Sequence, residues 1–213
     1  MPPELHYEVK TEVGGAGCAN GWGMTESCII AINDPRDTDE HIAMTSGRPV
    51  PGVDVRVVDG ELRIKGDRVF LGYLDATLND KAFDEDGYFC TGDLGYLTED
   101  GYVVVTGRTK DIIIRKGENI SAKDVEDTLY THPSVADVAV IGLPDATRGE
   151  RVCAVVVLHP GAVLELDEVV EFCIDAGMMR QKIPEQLELT DSLPRNATGK
   201  VLKHELRARW AAP

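Results

Sequence analysis

Val53, Val55 and Val57 alternate with polar residues, Asp59-Gly60 follows, and Leu62 and Ile64 resume the alternation. Two period-two runs around a DG pair predict a β-hairpin, because each strand buries one face and Asp-Gly accepts the positive φ of a two-residue turn. A second hairpin is predicted around Asp100-Gly101, between 94–97 and 102–106. Short strands joined by Gly-containing turns make the first half a β-rich unit. The pattern then changes. Residues 111–115 read as a short apolar strand. Ser121 follows as an N-cap, with Asp124 as its capping-box partner, and Val125 and Leu129 form an apolar helical stripe. Residues 135–141 and 152–158 are β-branched strands. Val169, Val170, Cys173 and Ile174 recur at helical spacing between 166 and 178, and a last helix with Leu202 and Leu206 starts near Val201. The second half therefore reads β-α-β-β-α-β-α, an α+β domain of about 100 residues. The expected fold class is α+β: a β-rich region over 1–109, then a small α+β domain over 110–213, divided at Thr109-Lys110.

Composition narrows the classes of function. The 213 residues hold one large domain or two small ones, and 43% hydrophobic content is ordinary for a globular chain. No run approaches the ~18 apolar residues of a membrane span. Met1-Pro2-Pro3-Glu4-Leu5-His6 lacks the basic and apolar regions of a signal peptide, so the expected location is cytoplasmic. Five widely spaced cysteines without a CxxC pair predict reduced thiols, and the five histidines show no metal-ligand spacing. A formal charge of −15 argues against a nucleic-acid partner, although a local site can still hold a small anion.

Four segments carry candidate chemistry. In Gly21-Trp22-Gly23-Met24-Thr25-Glu26-Ser27, Trp22, Thr25 and Glu26 supply an aromatic surface, a hydroxyl and a carboxylate on a Gly-rich loop, the side-chain types that a nucleotide with Mg²⁺ requires. The upstream Gly14-Gly15-Ala16-Gly17 is not a dinucleotide fingerprint, because Asn20 stands where the last glycine is needed. In Thr91-Gly92-Asp93 the carboxylate follows a tight turn and can accept ribose hydroxyls, or simply satisfy the turn. The third segment runs from Gly107-Arg108-Thr109-Lys110-Asp111 to Gly117-Glu118-Asn119-Ile120, where the β-rich half gives way to the α+β half. The fourth is Pro194-Arg195-Asn196-Ala197-Thr198-Gly199-Lys200, in which Thr198-Gly199 would give Lys200 a flexible loop. Lys200 is not a Walker A lysine, since Pro194 occupies the position of the required glycine.

In this order and spacing, the four segments resemble the adenylate-forming superfamily of acyl-CoA synthetases, luciferases and peptide-synthetase adenylation domains. The resemblance covers nearly the whole chain. It implies ATP, Mg²⁺ and coenzyme A as cofactors and a carboxylic acid, medium- or long-chain fatty acid first, as substrate. By resemblance, Trp22 stacks near adenine, Thr25 meets the α-phosphate, Glu26 binds the metal, and Asp93 and Arg108 hold the ribose. Lys110 is the hinge of a mobile C-terminal lid, Gly117 lets the pantetheine arm pass, and Lys200 is the catalytic ammonium at the reacting carboxylate and α-phosphate. Relatives often have two adjacent glycines where this chain has Lys116-Gly117. The family's phosphate-gripping Ser/Thr/Gly loop does not occur in these 213 residues, and Pro2-Pro3-Glu4-Leu5 resembles the interior of the large domain. The resemblance thus implies a C-terminal fragment, inactive by itself and completed by the missing N-terminal part of the same enzyme. Two alternatives remain open: an acyl-AMP ligase or adenylation domain serving a carrier protein, and a truncated, non-catalytic binding protein.

Overall fold

A computed structural model describes residues 3–15 and 17–211; Pro2 and Ala16, singled out above, lie outside them. The chain divides into two compact units, Met1–Thr109 and Lys110–Pro213.

The first unit opens with helix α1 (Pro3–Glu12), followed by β1 (Gly21–Met24), β2 (Ser27–Ile32), α2 (Asp39–Met44) and β3 (Arg48–Pro49). Then come β4 (Val53–Val58), β5 (Glu61–Gly66), α3 (Asn79–Ala82), β6 (Phe89–Leu97) and β7 (Val103–Arg108). The strands form a sheet β1-β2-β3 and a sheet β4-β5-β6-β7. Both predicted hairpins are present. Asp59 and Gly60 take φ of 52° and 81°, and Val58 pairs with Glu61. Leu97 pairs with Val103 across the Asp100-Gly101 loop. The three helices are departures from the strand reading. Helix α2 is started by Thr38, whose hydroxyl accepts the His41 N–H. Trp22, Ile30, Leu62, Ile64, Phe89 and Val103 form one core drawn from both sheets.

The second unit contains β8 (Ile112–Arg115), β9 (Glu118–Ser121), α4 (Ala122–Tyr130), β10 (Val135–Asp145) and β11 (Gly149–Leu158). It continues with α5 (Leu166–Asp175), β12 (Gln186–Leu189) and α6 (Lys203–Trp210). The sheet runs β10-β11-β8-β9, and β12 joins β11 in parallel. The continuous apolar runs of β10 and β11 follow from burial on both faces. Val140, Val152, Ala154 and Val156 pack with Val125, Leu129 and Val169 of α4 and α5. The alternate residues Ala139, Ile141, Cys153 and Val155 pack with Leu206 of α6. Strand β9 was not expected: Lys116 and Gly117 take φ of 50° and 81° and fold Arg115 onto Glu118, which turns an expected loop into a hairpin. Ser121 does cap α4, accepting the Asp124 N–H, while the Asp124 carboxylate accepts Lys182 Nζ at 2.8 Å. The last helix begins at Lys203, and Leu202 occupies its N-cap.

No described helix is long and apolar enough to cross a membrane. All five cysteines are free thiols. Burial pushes Cys153 up to about 12 and Cys173 up to about 11, whereas Cys28 is exposed. Alkylation at neutral pH should label Cys28 in the folded chain and leave Cys153 and Cys173 unlabelled until denaturant is added; peptide mass spectrometry reads this directly.

Asp145 organises the β10–β11 turn: its Oδ1 accepts the N–H of Thr147, the Thr147 hydroxyl and the N–H of Arg148, all at 2.8–2.9 Å. The Thr147 bonds lead in holding its carboxyl down to about 2. An ordinary Asp sits near 3.9, so the folded state binds this proton less well than the unfolded chain. Its stabilisation is complete above about pH 4 and is lost as pH falls through about 2. The urea midpoint of Asp145→Asn should therefore fall less steeply than wild type over that window.

Candidate functional site

Asp93 lies on β6 with its side chain 4% exposed. A carboxylate this enclosed needs donors on both oxygens. Trp22 Nε1 donates to Oδ2 at 2.7 Å, and Arg108 Nε meets Oδ1 at 2.9 Å. Register brings Arg108 there, since Asp93 and Arg108 are cross-strand partners on β6 and β7. Two residues far apart in sequence, Trp22 and Arg108, thus converge on one carboxylate. Trp22 is 6% exposed and packs in the core, where its indole N–H bonds the Asp93 carboxylate.

Thr91-Gly92-Asp93 is a bulge within a strand. Glu61 pairs with Leu94 and Arg63 with Cys90, so Leu62 alone faces Thr91, Gly92 and Asp93. Gly92 takes φ 70°, the left-handed region that favours glycine. The Thr91 hydroxyl donates to Leu62 O at 2.5 Å and accepts the Asp93 N–H at 3.0 Å. The Gly92 N–H donates to Glu61 Oε1 at 3.0 Å, and its carbonyl accepts the Thr109 hydroxyl at 3.1 Å. Bulges re-aim a side chain at the point where the ladder is interrupted, and here that side chain is Asp93.

The expected Gly-rich loop over 21–27 is instead the β1–β2 hairpin, with Thr25 and Glu26 at its turn. Gly23 is needed for close packing, because a Cβ there would lie 2.2 Å from Cys28 O. Thr25 is exposed and Glu26 half-buried. Tyr73 Oη donates to Glu26 Oε1 at 2.8 Å, and Phe70 N–H donates to the Glu26 carbonyl at 2.8 Å. Burial and then the Glu26 carboxylate push the Tyr73 phenol up, which keeps it a donor. Among the described residues no group of three or more His, Cys, Asp or Glu could hold a metal ion. A single half-buried carboxylate such as Glu26, bonded to Tyr73 through one oxygen, would fit Mg²⁺ delivered with a nucleotide, since that ion keeps its waters and phosphates and takes one or two protein carboxylates.

In the second unit, the exposed Gly117 sits at the tip of the β8–β9 hairpin, and a Cβ there would meet nothing within 4 Å. Lys116 N–H donates to Arg148 O at 2.7 Å, which ties this tip to the β10–β11 turn. Lys200 is exposed at the end of a loop that is more ordered than expected. Asn196 Oδ1 accepts from Thr198 N, Thr198 Oγ1 and Lys200 N at 2.8–3.1 Å. Asn196 N–H donates to Lys200 O at 3.0 Å, and Arg195 bridges Gly199 O and Asp137 Oδ2 at 2.6 Å each. The loop backbone is therefore fixed, and only the long lysine side chain supplies reach. Lys110 is exposed between two anchored neighbours: Thr109 bonds back to Gly92 in the first unit, and Asp111 Oδ1 accepts Arg207 Nη2 at 3.4 Å in the second.

Sequence reading missed Tyr73 and Asn196. Tyr73 stands 47 positions from Glu26 and carries no local signal. Asn196 was legible in principle, because an Asn two residues before Thr-Gly is a common Asx-turn arrangement.

Comparison with known proteins gives the class of this two-unit chain. The AMP-binding enzyme profile matches residues 1–74, and that of the AMP-binding enzyme C-terminal domain matches residues 124–200. The chain belongs to the adenylate-forming, AMP-binding enzyme superfamily. It is 39% identical, over 97% of its length, to the 3-[(3aS,4S,7aS)-7a-methyl-1,5-dioxo-octahydro-1H-inden-4-yl]propanoyl:CoA ligase of Rhodococcus jostii. It is 40% identical, over 87% of its length, to the medium-chain fatty-acid–CoA ligase of Escherichia coli. The chain spans 40% and 35% of those two proteins. The ATP-bound crystal structure of MatB from Rhodopseudomonas palustris superposes with a TM-score of 0.91 at 34% identity, covering 98% of this chain and 43% of that one.

Trp22→Phe removes the indole donor and leaves the Asp93 carboxylate short of one bond. Loss of a hydrogen bond to a charged group costs roughly 1.5–3 kcal/mol. A urea titration of the variant should show a loss of that size, and a variant as stable as wild type would show that this bond contributes nothing.

Proposed function

We propose that this chain is the C-terminal portion of an AMP-forming acid–thiol ligase. A carboxylate attacks the α-phosphate of Mg·ATP, forming acyl-AMP and releasing pyrophosphate; the thiol of coenzyme A then attacks the acyl carbon, forming the thioester and releasing AMP. In this reading, residues 1–109 are the end of a large AMP-binding domain and residues 110–213 are its mobile lid. Asp93 accepts the ribose hydroxyls beside Arg108, and Trp22 orients Asp93. Thr25 meets the α-phosphate and Glu26 takes the Mg²⁺ that arrives with ATP.

The observation that carries the proposal is the Asn196-pinned loop ending in Lys200. Adenylation gathers negative charge as carboxylate and phosphate meet, and an ammonium on a preorganised backbone offsets it without further ordering. The lid then turns about the exposed Lys110, which anchored residues flank, and exchanges the Lys200 loop for the Gly117 hairpin that guides the thiol. The favoured acid is a medium- or long-chain fatty acid, as the name of the Escherichia coli relative supports. The Rhodococcus relative, named for a bicyclic acid, is equally similar across this region, so we assign the choice of acid to residues beyond these 213.

The test uses an enzyme extended N-terminally to the length of its relatives, its Lys200→Ala form and the 213-residue chain, with ATP, Mg²⁺, coenzyme A and a panel of acids. Lys200→Ala should lower acyl-AMP formation by about 10²–10³. It should leave thioester formation from supplied acyl-AMP within a few-fold, and the 213-residue chain should show no multiple turnover. Acyl-AMP without thioester would replace coenzyme A with a carrier-protein acceptor; unchanged adenylation in Lys200→Ala would overturn the proposal.

A further inference from the structure

The bulge that aims Asp93 leaves a backbone amide that a side chain of the neighbouring strand satisfies. Because Leu62 faces three residues, the Gly92 N–H has no ladder carbonyl opposite it. It donates instead to Glu61 Oε1 at 3.0 Å. An amide left without an acceptor in such a place would turn toward one and carry Asp93 with it. Glu61 is itself held. Arg63 Nε donates to Glu61 Oε2 at 3.0 Å, and Arg63 Nη1 donates to Asp84 Oδ2 at 3.0 Å. Arg56 Nη2 donates to the same Asp84 oxygen at 2.5 Å, and its Nη1 donates to Asp86 Oδ2 at 2.7 Å. The side chains of Glu61, Arg63 and Asp84 are only 19%, 20% and 13% exposed, so the chain of bonds is partly sheltered from water.

Period-two alternation explains the placement. Leu62 and Ile64 are fully buried in the core, so Glu61 and Arg63 must point to the other face of β5. There Glu61 lies opposite the bulge while Arg63 reaches Asp84. Asp93 is thus positioned from two sides. Trp22 and Arg108 hold its carboxylate, and Glu61 holds the backbone immediately before it.

We propose that Glu61 is a positioning residue for nucleotide recognition: it fixes the Gly92 amide and thereby sets the aim of Asp93 at the ribose hydroxyls. This rests on the ligase reading above, in which Asp93 is the ribose contact. Glu61 touches neither nucleotide nor acid, and its contribution depends on a substrate that carries ribose hydroxyls.

The experiment compares wild type, Glu61→Ala and Glu61→Gln in the extended enzyme, measuring acyl-AMP formation with ATP and with 2′,3′-dideoxy-ATP. Amide exchange at Gly92 is followed in the 213-residue chain. Glu61→Ala should raise KM for ATP about tenfold with kcat changed less than threefold. Its KM for 2′,3′-dideoxy-ATP should match that of wild type, because the hydroxyls that Asp93 would hold are gone. Glu61→Gln keeps a carbonyl acceptor of the same length and should lie between, about threefold up on ATP. Gly92 exchange should quicken at least tenfold in Glu61→Ala, while Val103, whose N–H bonds Gly47 O in the core, is unchanged. A merely structural residue would raise KM for both nucleotides by the same factor, and that result would overturn the proposal, as would unaltered Gly92 exchange. If Glu61→Ala does not fold, Glu61→Gln carries the same comparison. A wild-type enzyme without adenylation activity would instead overturn the ligase reading and this role with it; activity with equal KM factors would overturn the positioning role alone.

Discussion

The first unit is organised around holding and aiming one buried carboxylate inside a mostly apolar setting. Asp93 is almost fully enclosed and bonds Trp22, a member of the apolar core. Burying a charge is costly unless donors meet it. Here the donors come from both sheets: the indole of β1 and the guanidinium of β7. That requirement links the pairing register of β6 with β7, the burial of Trp22 and the interruption of the β5–β6 ladder. Shifting β7 by one residue would carry Arg108 to the opposite face and leave the carboxylate with the indole alone.

The second unit addresses a different problem, which is to hold short exposed loops still on a sheet buried on both faces. Strands β10 and β11 supply a platform covered by α4 and α5 on one side and α6 on the other. The Gly117 hairpin and the Lys200 loop are each tied by hydrogen bonds, the first through backbone groups and the second through the side chains of Asn196 and Arg195 as well. Asn196 gathers three donors on one oxygen, and Lys116 borrows the carbonyl of Arg148. Such bonds fix the backbone while leaving the tips exposed. A partly buried charged pair reinforces α6: Glu126 Oε1 accepts Lys203 Nζ and the Val140 N–H at 2.7 Å each, and burial pushes the Glu126 carboxyl up.

Membership of the adenylate-forming superfamily fits both arrangements. Two relatives named for different acids are similar to this region to the same degree.

Local periodicity determined much of this molecule. The alternation through Val53, Val55 and Val57 and the Asp59-Gly60 pair specified a hairpin, and the Val125/Leu129 stripe after Ser121 specified a capped helix, because pleat and helix geometry act over a few residues. The four motifs, read together, were enough to reveal the superfamily. The sequence alone did not disclose β9, since nothing marks Lys116 as a residue that accepts positive φ when Glu118 can pair with Arg115. Nor did it show that Trp22 points its indole at Asp93, that Thr91-Gly92-Asp93 is a bulge, or that Glu61 and Tyr73 serve that bulge and Glu26. These are contacts across 29 to 71 positions, decided by strand register and by the need to pair every buried polar group, and neither constraint exists until the sheets have formed.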